Sequence, residues 1–159
     1  MKKLSGSFRY TQWDPWLLIA QIISVQCIIY VSLGLILTVL GVIVGDTRSL
    51  DHIFEYHEIQ VRDFGGRMVI AAFVLNAFVG AVTLWYVVER TKQCMDFSCT
   101  WHFFHLLICW WYNGNFPTTF SWWALNVACA TLMCVCAEFL CLRTELKAIP
   151  LSLGPKTDL

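Results

Sequence analysis

Charged side chains are what this sequence lacks, and the gaps are long. Trp16–Val44, Met68–Val88 and Phe97–Tyr112 contain no Asp, Glu, Lys or Arg, and Phe120–Leu142 contains one, Glu138. Across 159 residues the charged fraction is 14% and the hydrophobic fraction 58%, against about 25% and about 45–50% in a soluble domain. Helices folded in water carry a polar face at a period of 3.6 residues, and these runs carry none. That sets aside a soluble helical protein. Net charge is missing too. The 11 basic and 11 acidic residues cancel, which removes the electrostatic footprint of a nucleic-acid binder.

Other absences narrow the reading. No His-Glu-x-x-His and no Ser–His–Asp order appears, which argues against a zinc protease or a serine hydrolase. No Asn-x-Ser/Thr acceptor is present, so no N-linked glycan is expected. The eight cysteines (27, 94, 99, 109, 129, 134, 136 and 141) fall within or beside the apolar runs. None lies where an oxidising lumen would pair them, and no disulfide is expected. The last four do not have zinc-finger spacing and read as small packing residues. Cys94 and Cys141, at the borders of the runs, stand as candidates for S-acylation.

What is present is a set of membrane-length segments. A hydrocarbon core of about 30 Å needs about 20 helical residues. Spans are therefore expected at 16–44, 68–88, 97–113 and 120–142. A loop at 45–67, a connection at 89–96 and a turn at 114–119 separate them, with tails at 1–15 and 143–159. The first run is too long for a cleaved leader and is expected to stay as an anchor. The fold class expected is an all-α membrane protein, a compact bundle of four transmembrane helices.

Orientation follows from Lys and Arg. Eight of them, Lys2, Lys3, Arg9, Arg90, Lys92, Arg143, Lys147 and Lys156, fall on the side of the tails. Three, Arg48, Arg62 and Arg67, fall on the other side, in a loop that also holds five acidic residues. Both termini are thus expected in the cytoplasm. Trp110, Trp111, Trp122 and Trp123 bracket the NGNFPTT turn and are expected at headgroup level, with Gly114 and Pro117 reversing the chain. Within the first loop, residues 49–60 are expected to form a short amphipathic helix on the membrane surface, with Leu50, Ile53 and Phe54 on its apolar face.

Polar side chains in lipid face other helices, and each span carries a stripe of small and polar groups. These are Gln26, Tyr30, Gly34 and Thr38; Ala72, Asn76 and Gly80; Ser98, His102, His105 and Cys109; and Asn126, Ala130, Cys134 and Glu138. The stripes are expected to face inward as interhelical glue. A bond from His102 or His105 to Asn126 is expected across the hairpin, with Glu138 near Arg90 or Lys92. No metal or cofactor is expected. The rival reading gives His102, His105 and Glu138 the work of a small transporter or membrane enzyme, through a metal or a proton relay.

Seven short stretches go further. They are WDP (Trp13–Pro15), SLG (Ser32–Gly34), KQCMDF (Lys92–Phe97), HFFHLL (His102–Leu107), FP (Phe116–Pro117), WW (Trp122–Trp123) and RTELKAIPL (Arg143–Leu151). In this order and spacing they resemble the Sys family of Golgi membrane trafficking proteins, homologues of the yeast Sys protein, over nearly the whole chain. The resemblance implies a four-span protein of the Golgi membrane, at its trans side, without catalytic activity. It also implies a receptor role for an Arf-like or Arf-related small GTPase whose N-terminus is acetylated rather than myristoylated. Even one myristoyl chain binds a membrane only marginally, so such a GTPase needs an address already in the bilayer. The docking surface expected from topology and the matching stretches comprises Arg9, Trp13 and Asp14; Lys92, Gln93 and Asp96; and Arg143, Glu145 and Lys147. A purely structural assembly subunit is a third reading. Gly41-x-x-x-Gly45 fits a homo-oligomer and internal packing equally.

Overall fold

The computed structural model describes residues 14–45, 51–55, 62 and 64–148. They form four long helices and one short one: α1 (Pro15–Val44), α2 (Asp51–Phe54), α3 (Phe64–Val87), α4 (Thr91–Asn113) and α5 (Phe120–Ala148). Local chemistry sets several ends. The Asp14 carboxylate accepts hydrogen bonds from the backbone N–H groups of Trp16 and Leu17 at 3.1 and 3.4 Å, and Pro15 follows at the first helical position, where its missing N–H costs nothing. Gly45 ends α1 at φ 76° and Gly114 ends α4 at φ 67°, left-handed positions that favour glycine.

The chain runs up and down. Gln21 Nε2 donates to the Val87 carbonyl at 2.9 Å, so the start of α1 meets the end of α3. Trp85 Nε1 donates to Thr144 Oγ1 at 2.8 Å, so the end of α3 meets the end of α5. Asp14 and Ala148, the two extremities of the described chain, therefore lie at one end of the bundle. In cross-section the order is α1, α3, α5, α4, with α3 and α5 at the centre. The seam between α1 and α4 is the loosest side of the ring.

The outer surface is apolar. Val31 is 62% exposed, Leu35 61%, Val127 60% and Phe139 61%. A water-soluble monomer does not present such a belt along every side; hydrocarbon is its natural solvent. α1, α3 and α5 are each long and apolar enough to cross a membrane. α4 has 23 residues, enough length, but carries Lys92, Gln93 and Asp96 in its first turns and two histidines further on, so its composition is less apolar.

Several expectations are corrected by the packing. On α1 the most deeply buried residues are Val25, Ile29 and Leu33, each at most 1% exposed; of the expected stripe, Tyr30 does reach the interior, where it bonds His105. Gly34 has nothing within 4 Å of where a Cβ would stand, so it serves no close contact here. On α5 the innermost line is Trp122, Cys129, Met133, Ala137 and Cys141, rotated from the stripe through Ala130, Cys134 and Glu138, which are only half-buried. Trp122 is 2% exposed and belongs to the core, whereas Trp111 is 87% exposed. The expected amphipathic helix shows one described turn, α2, with 49–50 and 56–60 outside the described residues. Its Ile53 and Phe54 pack on the bundle rather than on a lipid surface.

Candidate functional site

Two places concentrate polar chemistry: the interior around His105 and the end of the bundle where the described chain starts and stops.

In the interior, α4 turns Cys94, Ser98, Trp101, His105 and Cys109 inward. His105 is fully buried. Its Nδ1 shares a hydrogen bond of 3.2 Å with the Tyr30 hydroxyl of α1, and its Nε2 one of 3.5 Å with Cys109 Sγ. Its ring lies between two indoles, parallel to Trp101 at 5.3 Å and to Trp122 at 6.3 Å. Phe73, Tyr30 and Phe54 complete the enclosure at 5.6, 6.1 and 6.3 Å. The His105 ring thus closes the loose α1–α4 seam. Phe54 of α2 covers it from the end opposite the chain extremities, and Asn113 Nδ2 pins the Phe54 carbonyl at 2.8 Å.

The expected histidine–asparagine bond is not formed. Asn126 Nδ2 donates to the Trp122 carbonyl of its own helix at 2.9 Å. His102 Nδ1 donates to the Ser98 carbonyl at 2.9 Å, and its buried Nε2 has no hydrogen-bond partner among the described residues. Asn76 Oδ1 accepts from the Ser32 hydroxyl, linking α3 to α1. Ser98 Oγ donates to the Ala130 carbonyl at 3.2 Å, linking α4 to α5. Gln26 is half-buried, and its Oε1 has no partner among the described residues. Glu138 makes no ion pair with Arg90 or Lys92; the Cys134 thiol, one turn back, donates to it at 3.5 Å. Among the described residues no group of three His, Cys, Asp or Glu could hold a metal ion. With both ring nitrogens of His105 engaged, this interior is built for contact between helices.

At the other place, three residues, 88–90, separate the end of α3 from the start of α4. The turn passes through Glu89 at φ 55°, a left-handed conformation that is uncommon outside glycine. Arg90, at the N-cap of α4, makes no side-chain cap. The cap comes from outside: Glu145 Oε1 of α5 accepts from the Thr91 N–H at 3.1 Å, a carboxylate on the positive end of a helix. Just beneath, Cys94 and Cys141 meet with their sulfurs 3.5 Å apart. They are 0% and 1% exposed, packed between α4 and α5.

Of the residues expected to form the docking surface, Lys92, Asp96, Arg143 and Lys147 are exposed at this end and Gln93 is half-buried. Asp14 and Glu145 are exposed as well, but their carboxylates cap α1 and α4. Arg9 and Trp13 lie outside the described residues. Gln21, Trp85 and Thr144, which tie the helix ends together, were not among the expected site residues. Only the position of Trp85 near the end of an apolar run hinted at an interfacial role.

The class is thereby defined: a small multi-helix membrane protein in which three interior polar contacts, Tyr30–His105, Ser32–Asn76 and Ser98–Ala130, join neighbouring helices and whose exposed charges gather where three helix ends meet. Comparison with known proteins gives the family. Residues 8–151 match the model of the SYS1 family, described as an integral membrane protein linking to the trans Golgi network. The Protein SYS1 homolog of Nematostella vectensis is 44% identical over 151 residues, which cover 95% of this chain and 96% of that protein. That of Dictyostelium discoideum is 41% identical over 95% of this chain and 65% of its own length. No solved structure matches. The chain belongs to the SYS1 family, a family of membrane trafficking proteins and not a known family of enzymes.

Proposed function

We propose that this chain resides in the trans-Golgi membrane with both termini in the cytosol and acts in vesicle trafficking as the receptor for an N-terminally acetylated Arf-like or Arf-related small GTPase. One observation supports the reading above the others. The start of α1, the start of α4 and the end of α5 converge, and Lys92, Asp96, Arg143 and Lys147 stand exposed around that junction. Such a surface offers charge complementarity, which sets specificity and association rate. The Glu145 cap fixes the α4–α5 part of it as one rigid piece, so a partner does not have to order it on arrival. The excess of basic residues on the same side fits the cytosolic orientation.

The transporter or enzyme reading has less support. His105 has no free ring nitrogen, and Glu138 is half-buried beside Cys134 on its own helix. Joint charge reversal, Lys92→Glu with Arg143→Glu, is expected to leave the protein in the Golgi while the GTPase shifts to the cytosol, scored by microscopy and fractionation. Conservative changes inside the bundle, His102→Asn and Glu138→Gln, are expected to leave recruitment intact. A GTPase that stays on the Golgi beside the charge-reversed protein, at normal protein levels, would remove this face from consideration.

A further inference from the structure

The α3–α5 side of the bundle carries a groove of about 390 Å³. Phe78 and Val82 of α3 and Val135, Cys136, Phe139 and Leu140 of α5 line it, over a floor at Ala81. It exists because Ala81 and Cys136 are short where their neighbours are long; Phe78 and Phe139, 48% and 61% exposed, stand as its two walls. No lining residue carries a charge, a hydroxyl or an amide. A ligand held here is therefore an apolar chain.

The α5 sequence says what is attached to that chain. Cys136, Leu140, Arg143 and Lys147 follow one another at spacings of four, three and four, a single stripe along the helix. The two groove residues thus continue, over the last turns of α5, into two exposed cations. Trp85 bonds Thr144 at this level and joins the two helices at the head of the groove. An indole bonded where an apolar surface meets charge is the mark of the headgroup layer. The α5 carboxylates point elsewhere: Glu145 caps α4, and Glu138 takes the thiol of Cys134. No α5 acid stands between the two cations and a phosphate.

We propose that the α3–α5 groove, with Arg143 and Lys147 at its head, is a binding site for one anionic phospholipid, its acyl chain in the groove and its phosphate and headgroup on the two cations. The site lies in whichever leaflet surrounds the end of α5, so it does not depend on the GTPase reading. The chain slot alone accepts any phospholipid, and the cations supply the preference. Each Lys or Arg near an anionic surface contributes enough that the pair should favour phosphatidylserine over phosphatidylcholine by about tenfold or more.

The test is native mass spectrometry of the purified full chain, titrated with phosphatidylserine and with phosphatidylcholine and with no GTPase present. The expected result is one tightly held phosphatidylserine and an about tenfold weaker phosphatidylcholine. Arg143→Gln with Lys147→Gln should bring the two lipids to near-equal binding. Val82→Trp fills the groove from a lipid-facing, 51% exposed position, and should weaken both. Equal binding of the two lipids to the unaltered protein, or a preference that survives loss of the two cations, would overturn the proposal. So would a groove-filled variant that binds as before, or a groove occupied by a second copy of the chain and seen as a dimer that Val82→Trp dissociates.

Discussion

His105→Ala is expected to destabilise the purified protein by about 3 kcal/mol or more, the range for removing a buried aromatic ring that its surroundings cannot refill. The enclosure explains the size. Two parallel indoles, two phenyl rings and the Tyr30 ring surround the imidazole, so truncation leaves a cavity bounded by rigid groups on several helices. His105→Phe separates shape from polarity. It keeps the stacking but leaves the Tyr30 hydroxyl without its partner, at a cost of about 1–3 kcal/mol. Combined with Tyr30→Phe in a double-mutant cycle, the coupling should fall near about 0.6–1.7 kcal/mol, the span found for hydrogen bonds between membrane helices. Reversible unfolding in mixed micelles, followed by tryptophan fluorescence, reads all of these. A His105→Ala protein as stable as the parent would show that the histidine does not hold the α1–α4 seam.

Two glycines that look alike in sequence should give opposite results. A Cβ on Gly80 would run into Met133 Sδ and lie 3.5 Å from Ile29 Cδ1, and Met133 is only 1% exposed. Gly80→Leu is expected to cost about 1–3 kcal/mol, the usual penalty for overpacking a full core, and more if α3 and α5 are pushed apart. Gly34→Ala meets nothing within 4 Å. It should be neutral or stabilising by up to about 1 kcal/mol, since alanine is the better helix former. The same unfolding experiment decides both. Equal losses at the two positions would mean that α1 also presents its small-residue stripe to a neighbour.

These two cases also mark where sequence reading works and where it stops. The long helices are legible because charge is excluded from hydrocarbon, and helices that fold in water rarely run uncharged for that length. The inward face of α4 is legible because Ser98, His105 and Cys109 differ chemically from Phe103 and Leu107, which face out. On α1 no such contrast exists. Buried Val25, Ile29 and Leu33 and exposed Val31, Leu35 and Val39 are the same kinds of residue, because lipid tails are as apolar as a protein core. Glycine and polar groups are then the only guide on that helix, and Gly34 misleads. Partner choice is less legible still. His105 could have met Asn126 at similar depth, but the order of helices around the ring sets Tyr30 against it. The start of α4 is not legible: 89–96 reads as a connection because Lys92 and Asp96 interrupt the apolar run, yet the helix begins at Thr91, with Arg90 at an N-cap that its side chain does not fill. That Glu145 supplies the cap depends on how far α5 continues beyond residue 142, to Ala148.

The docking face has meaning only if the end of α5 and the start of α4 look into the cytosol. Single cysteines introduced at Lys147 and at Thr118, both exposed and at opposite ends of the bundle, test this in sealed, right-side-out Golgi vesicles with a membrane-impermeant maleimide. The unaltered protein gives the baseline for its own eight thiols. With the face in the cytosol, Lys147→Cys is labelled in intact vesicles and Thr118→Cys only after the membrane is permeabilised; the reverse pattern would put the face in the lumen and rule out docking of a cytosolic partner there.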